Sequence, residues 1–163
     1  MDALEALRTR RSIRRFQETV VPREMVETII DCARQAATAR GVQPWEFVVV
    51  TEAGMRRRLA ETLEYGKFVA QAPVAVVVLC QDTKYYLEDG AAATENMLVA
   101  ATALGLGSCW IAGDKKPYAD FIRATIGAPD DYKLIAVVAL GYPAEQPNRE
   151  KRPLHDVLHW EKY

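Results

Sequence analysis

The chain has 163 residues, half of them hydrophobic and 26% charged, a balance that excludes disordered, fibrous and repeat-built proteins. It predicts a single domain over residues 1–163. Twenty-one Lys and Arg against 22 Asp and Glu leave a net charge of −1, so no global field favours nucleic acid or an anionic membrane, and any anion site must be local.

A short helix is expected over 2–8. Pro22, at an expected first helical turn, precedes Val26, Ile29, Ile30, Ala33, Ala36 and Ala37, whose i, i+3/i+4 spacing predicts an amphipathic helix capped by Gly41. The β-branched core Val48-Val49-Val50 predicts a strand over 46–51, and 73–80 reads as a continuously apolar strand buried on both faces. An arginine-rich helical stretch starting near Gly54 lies between them. Residues 85–104 form a helix apolar around most of its circumference, through Ala91, Ala92, Ala93, Met97, Leu98, Ala100, Ala101 and Leu104, and so expected to be buried nearly all round. A strand over 107–111, a helix over 118–126 ended by Gly127 and an apolar strand over 134–141 complete the elements. The tail from Tyr142 carries three prolines before 154–160 and too few apolar residues for a core, so it is expected to wrap over another surface.

The longest apolar run, 74–80, is too short to span a bilayer, and the first residues lack the basic and apolar blocks of a secretory signal, which predicts a cytoplasmic protein with no membrane partner. Cys32, Cys80 and Cys109 are odd in number, far apart and set among apolar neighbours, which predicts small buried hydrophobes. His155 and His159 have metal-chelating spacing, but no third ligand accompanies them, so no metal site is expected.

Arg8, Arg10, Arg11, Arg14 and Arg15 surround Ser12. Guanidinium forks bind phosphate oxygens two at a time and a hydroxyl adds a donor, so the cluster suits a phosphate monoester. A solvated basic turn or a nucleic-acid patch is the alternative. Arg149, Lys151 and Arg152 make a second basic group, and the two would form one anion pocket if they converged. The small residues from Ala36 to Gly41 let backbone approach a flat ligand closely, though alone they read as a helix stop. The glycine-rich run from Gly105 to Gly113 comes after a helix and opens a strand, the reverse of the order that places phosphates on a helix N-terminus, which excludes a Rossmann loop.

Taken together, these blocks resemble the nitroreductase family of flavin-dependent oxidoreductases along nearly the whole chain. Arg10-Arg11-Ser12-Ile13-Arg14-Arg15-Phe16 resembles the family's Arg-x-Ser-x-Arg/Lys signature, and Thr38 to Trp45 its small-residue turn ending in Gln-Pro-Trp. Glu95-Asn96-Met97-Leu98 leading into Gly105 to Gly113 resembles its central helix and Gly-x-Gly-x-x-Trp-Ile strand. Gly141-Tyr142-Pro143, Arg152-Pro153-Leu154 and His159-Trp160 complete the likeness.

The resemblance implies an α+β fold with a central mixed sheet flanked by helices. It also implies a homodimer with two FMN sites at the interface and the C-terminal tail wrapping the partner. Arg10, Arg11 and Ser12 would hold the FMN phosphate with Lys151 or Arg152, and Arg14 would face the pyrimidine side of the ring. Ala37, Thr38 and Ala39 would pack on the flavin from the other subunit, while Trp110, Ile111, Ala112 and Gly113 would present backbone near N5 and O4. The implied reaction passes electrons from NADH or NADPH through FMN to a nitroaromatic, quinone or related small molecule, with no catalytic side chain of the protein's own. Gly41 and Ala37 replace the family's Asn and Pro, and the segment between Leu63 and Pro73 is short for the family. Dehalogenating or flavin-fragmenting chemistry, and a redox-sensing module with little turnover, are the alternatives on the same scaffold.

Overall fold

Two strands built almost wholly of aliphatic residues set the architecture, because each needs cover on both faces. The computed structural model describes residues 1–163. The two strands, β2 (Val74–Gln81) and β4 (Tyr132–Gly141), lie side by side at the centre of a four-stranded sheet. β1 (Trp45–Val50) pairs with β2 and β3 (Gly107–Ala112) with β4, so the order is β1-β2-β4-β3. All three pairings are antiparallel, and the parallel component is one bridge, Ser12 to Ser108, where the N-terminal segment runs beside β3.

Side chains of β2 alternate between two layers. Val74, Val76, Val78 and Cys80 face α2 (Arg23–Ala33) and α4 (Tyr86–Ala103), where they meet Val26, Ile29, Ala93 and Met97. Ala75, Val77 and Leu79 face α3 (Ala53–Thr62) and α5 (Ala119–Thr125), through Leu59 and Ile122. Each fully buried aliphatic side chain contributes about 1.5–3 kcal/mol, so both faces of the sheet are strongly driven to be covered. α1 (Ala3–Thr9), capped by Asp2 accepting from the Glu5 N–H at 2.9 Å, packs on α4. Glu52 caps α3 by accepting from the Gly54 and Met55 N–H groups, and these bonds hold its carboxyl below the usual range.

One irregularity in β4 reaches beyond the sheet. Val78 pairs with Ala136 and Leu79 with Leu134, which leaves Ile135 as a bulged residue turned with Ala136 toward α4. The Ile135 side chain fills the space beside Gly90, where an added Cβ would lie 2.6 Å from Cγ1. Its carbonyl accepts from the Gly113 N–H at 2.9 Å. The bulge therefore seats α4 and fixes the backbone just past β3.

The structure departs from the expected elements in four places. α2 stops at Ala33, because the Gln35 and Ala36 N–H groups bond three residues back and unwind the last turn. Ala36 and Ala37 therefore lie beyond it, and Gly41 sits in a separate short 3-10 turn, Ala39–Gly41. Pro22 is the residue before the helix, with a non-helical ψ of 141°. Cys32 lies on the outer face of α2 and is exposed, unlike Cys80 and Cys109. α4 is not buried all round: Asp89, Gly90, Ala93, Thr94, Met97, Leu98 and Ala101 are buried, but Leu87, Glu88 and Glu95 are exposed, because one chain covers only its sheet side.

Gly90→Ala would drive a methyl group into Ile135 and the Cys80 thiol. Overpacking of this kind costs about 1–3 kcal/mol. The variant should keep its helical circular dichroism but unfold at a lower urea midpoint.

Candidate functional site

After α1 the chain runs extended. The Ile13 N–H donates to the Ser108 carbonyl, the Gln17 N–H to the Tyr142 carbonyl and the Ala144 N–H to the Arg15 carbonyl, each at 2.9 Å. Residues 12–17 thus form a strap between β3 and the start of the tail. Glu145 locks the strap, its Oε1 accepting from the N–H groups of Arg14 at 2.5 Å and Arg15 at 3.1 Å.

This strap brings the two distant basic groups together. They line one cavity of about 440 Å³, with Arg10, Arg11, Ser12 and Arg14 on one wall and Arg149, Lys151 and Arg152 with Pro147 and Glu150 on the other. Glu150 is the one carboxylate in this lining, so the cavity focuses positive potential in a protein whose net charge is −1. Arg10 is held from behind, its Nε 3.3 Å from Glu95 Oε1 on α4. Arg11 donates to the carbonyls of Arg8 and Arg10 at 2.9 Å, and Arg152 to the Asp156 carbonyl at 2.7 Å. Arg14 is exposed and shares the cavity with the others.

The remaining candidate residues do not line that cavity. Thr38 and Ala39 are tied to α4 through Asp89, which is only 4% exposed. Asp89 Oδ2 accepts from the Thr38 hydroxyl and Oδ1 from the Ala39 N–H, both at 3.0 Å. The Thr38 hydroxyl in turn accepts from the Gln43 N–H at 2.9 Å. Between them the backbone is left-handed at Arg40 (φ 56°), Gly41 (φ 68°) and Gln43 (φ 52°). For a non-glycine residue this conformation costs about 1 kcal/mol or more, and it persists only where surrounding bonds hold it. Asp89 and Glu95 are six residues apart on α4, about 9 Å along the axis and about 240° around it, so the turn and Arg10 are anchored on different faces of one helix.

The third candidate segment continues β3. Trp110 is half-buried against the α4-side core, Ile111 is buried on the opposite face, and Ala112 is exposed. Two bonds fix the backbone at the end of this strand, the Gly113 N–H to the Ile135 carbonyl and the Tyr118 hydroxyl to the Ala112 carbonyl at 2.6 Å, and just beyond it the Tyr86 hydroxyl donates to the side-chain Oδ1 of Asp114 at 2.7 Å. The bond to Asp114 and burial push the Tyr86 hydroxyl up to about 12. β3 runs from Ser108, beside Ser12, to Ala112, about 13 Å away at strand rise.

Asp89, Glu95 and Glu145 act as positioning groups, a role that the sequence alone assigns to none of them. Glu145 lies four residues before the second basic run, but Asp89 and Glu95 lie far in sequence from both runs. The two histidines do not share a helix, since the 3-10 turn Leu154–Asp156 ends before His159, which stacks on Tyr163 with centroids 4.5 Å apart.

With this geometry in view, comparison with known proteins is decisive. The sequence model of the Nitroreductase family matches residues 7–83 and 61–142. The chain belongs to the nitroreductase family. A "Putative NADH dehydrogenase/NAD(P)H nitroreductase" of Methanothermobacter thermautotrophicus is 36% identical over 169 residues, covering 100% of this chain and 88% of its own. A crystal structure of a protein with that same name from Bacteroides thetaiotaomicron superposes with a TM-score of 0.93 at 29% identity, over 99% of this chain and 98% of the other. The FMN-dependent nitroreductase of Clostridium difficile gives 0.92 at 26% identity, over 98% and 99%. No helix of this nitroreductase family member is long and apolar enough to cross a membrane.

The buried thiols of this nitroreductase family chain supply no nucleophile. Burial, with the Asp89 charge adding to it, pushes the Cys80 thiol up to about 12. Burial also raises Cys109, partly offset by the Arg14 charge and a bond to Ser12. Only thiolate alkylates, and a raised thiol stays protonated near pH 8. Iodoacetamide at that pH should label Cys32 in the native protein, and Cys80 and Cys109 only after unfolding. Peptide mass spectrometry reads the order.

Proposed function

We propose that this nitroreductase family chain, with residues 1–163 acting as one domain, is an FMN-dependent oxidoreductase. It takes electrons from NADH or NADPH and passes them to a nitroaromatic, quinone or related small-molecule acceptor. The observation that carries the reading is the basic cavity: fork-shaped donors and the Ser12 hydroxyl, with a large excess of cations, fit the phosphate monoester of FMN. The words FMN-dependent and NAD(P)H in the names of similar proteins support the cofactor and the reductant.

In this reading Arg10, Arg11 and Ser12 hold the phosphate with Lys151 and Arg152, and Glu95 keeps the Arg10 guanidinium aimed at the cavity. Arg14, at the exposed side, meets the pyrimidine edge of the ring. The backbone of Trp110 to Gly113, fixed at its end by the bonds to Ile135 and Tyr118, lines the ring near N5 and O4, and Ala37 to Ala39 reach the flavin of the other subunit. When bound, FMN supplies the electron chemistry between nicotinamide and acceptor. The protein binds it, orients it and keeps water from it.

A homodimer belongs to the proposal. Leu4 and Leu7 of α1 are 62% and 54% exposed, and the tail leaves Leu154, Leu158 and Trp160 uncovered, Trp160 at 78%. An apolar surface of this extent calls for a second copy, over which each tail wraps.

The protein should purify yellow with one FMN per chain, and Arg10→Ala should weaken FMN binding by roughly 2–4 kcal/mol, as for loss of one member of a buried charge-assisted set. Fluorescence titration measures both, and a colourless protein that does not take up FMN overturns the reading. Arg14→Gln should retain FMN but lower its two-electron potential, by about 30 mV for each 1.4 kcal/mol of charge stabilisation lost. Spectroelectrochemical titration decides it: an unchanged potential with collapsed affinity would return Arg14 to the phosphate group.

A further inference from the structure

Asp89 is a carboxylate where the fold gives it no ionic partner. It is 4% exposed, and no Lys or Arg lies within ion-pair distance of it, so its burial rests on the two hydrogen bonds it accepts. Both come from one place, the Thr38 hydroxyl and the Ala39 N–H, and the Thr38 hydroxyl passes the restraint on to the Gln43 N–H. The turn so closed holds two non-glycine residues in left-handed backbone, and its outer residues, Arg40 to Gln43, are exposed. The strain falls on the exposed half of the turn, Arg40 to Gln43, where nothing in the same chain packs over it and packing gives no account of it. The turn also stays outside the cavity of its own chain, on another face of α4 from Arg10.

We propose that Asp89 is a positioning residue: its carboxylate holds the turn from Thr38 to Gln43 in the one shape that fits the flavin bound by the other subunit. This rests on the FMN reading above. α4 then serves two sites at once, Glu95 aiming Arg10 into the site of its own chain and Asp89 aiming the turn into the site across the dimer.

The two roles separate in mixed dimers. Asp89→Asn keeps the side-chain size but removes the charge and replaces one acceptor by a donor, so the Thr38 hydroxyl loses the carboxylate oxygen it donates to and the bond to the Ala39 N–H loses its charge assistance. In the homodimer FMN should dissociate about tenfold more readily, the effect of one hydrogen bond. Amide exchange over 37–44 should quicken while β2 and β4 keep their protection. Co-expressed, differently tagged chains then give heterodimers of Asp89→Asn with Arg10→Ala. One site in each heterodimer has an intact Arg10 and an intact turn, the other has both defects. Titration with FMN should show one site of wild-type affinity per heterodimer, which neither homodimer possesses.

No recovered site in the heterodimer would overturn the proposal, as would FMN affinity unchanged in Asp89→Asn while 37–44 exchanges faster. Wild-type protein that binds no FMN would instead sink the cofactor reading. Should Asp89→Asn fail to fold, Thr38→Val removes the same bond from the other end and is carried through the same pairing.

Discussion

Everything in this fold answers to the burial of β2 and β4 on both faces. A sheet whose two central strands are aliphatic on each side has no surface to give to water, so helices must close it from above and below. That requirement places α2 and α4 on one face and α3 and α5 on the other, and it leaves the two edges, β1 and β3, as the places where polar chemistry can enter. The candidate site uses the β3 edge, where the strap of residues 12–17 replaces a fifth strand with a short extended segment rich in cations.

α4 is the second organiser. Its register on the sheet is set by a single missing side chain, Gly90, opposite the bulged Ile135. A helix seated this closely can carry charged groups at its flanks without losing its place. The same bulge orders the Gly113 backbone, so one extra residue in β4 fixes both the helix that anchors the candidate residues and the strand end among them. Local packing and site geometry are here the same fact.

Much of this was legible in the sequence, and for local reasons. Residues 73–80 announce a buried strand because every side chain is apolar, and the cations around Ser12 announce an anion site because they are adjacent in the chain. The convergence of Arg10 with Lys151 was open to reading only as a condition, since it depends on hydrogen bonds of the strap to Ser108 and Tyr142 that no periodicity reveals. Asp89 was invisible for a different reason: an acidic residue in the first turn of a helix ordinarily reads as a surface group favoured by the helix dipole. The extension of α2 through Ala36 and Ala37 failed because alanine fits either state, and the shortened bonds after Ala33 decided it. Cys32 was assigned by neighbours in sequence, whereas its exposure comes from its rotation about the α2 axis.

The basic cavity draws its walls from the two ends of the chain, and the bond that sets them, Arg14 to Glu145, spans 131 residues. A contact of that separation is among the last that a chain can close, because nearly all of its loop entropy must already have been spent by the sheet between. During synthesis the first wall emerges early and stays without its second until residues 145–152 have been made. The pocket therefore forms only once residues 145–152 have joined residues 10–14, which ties these two segments into one cooperative unit.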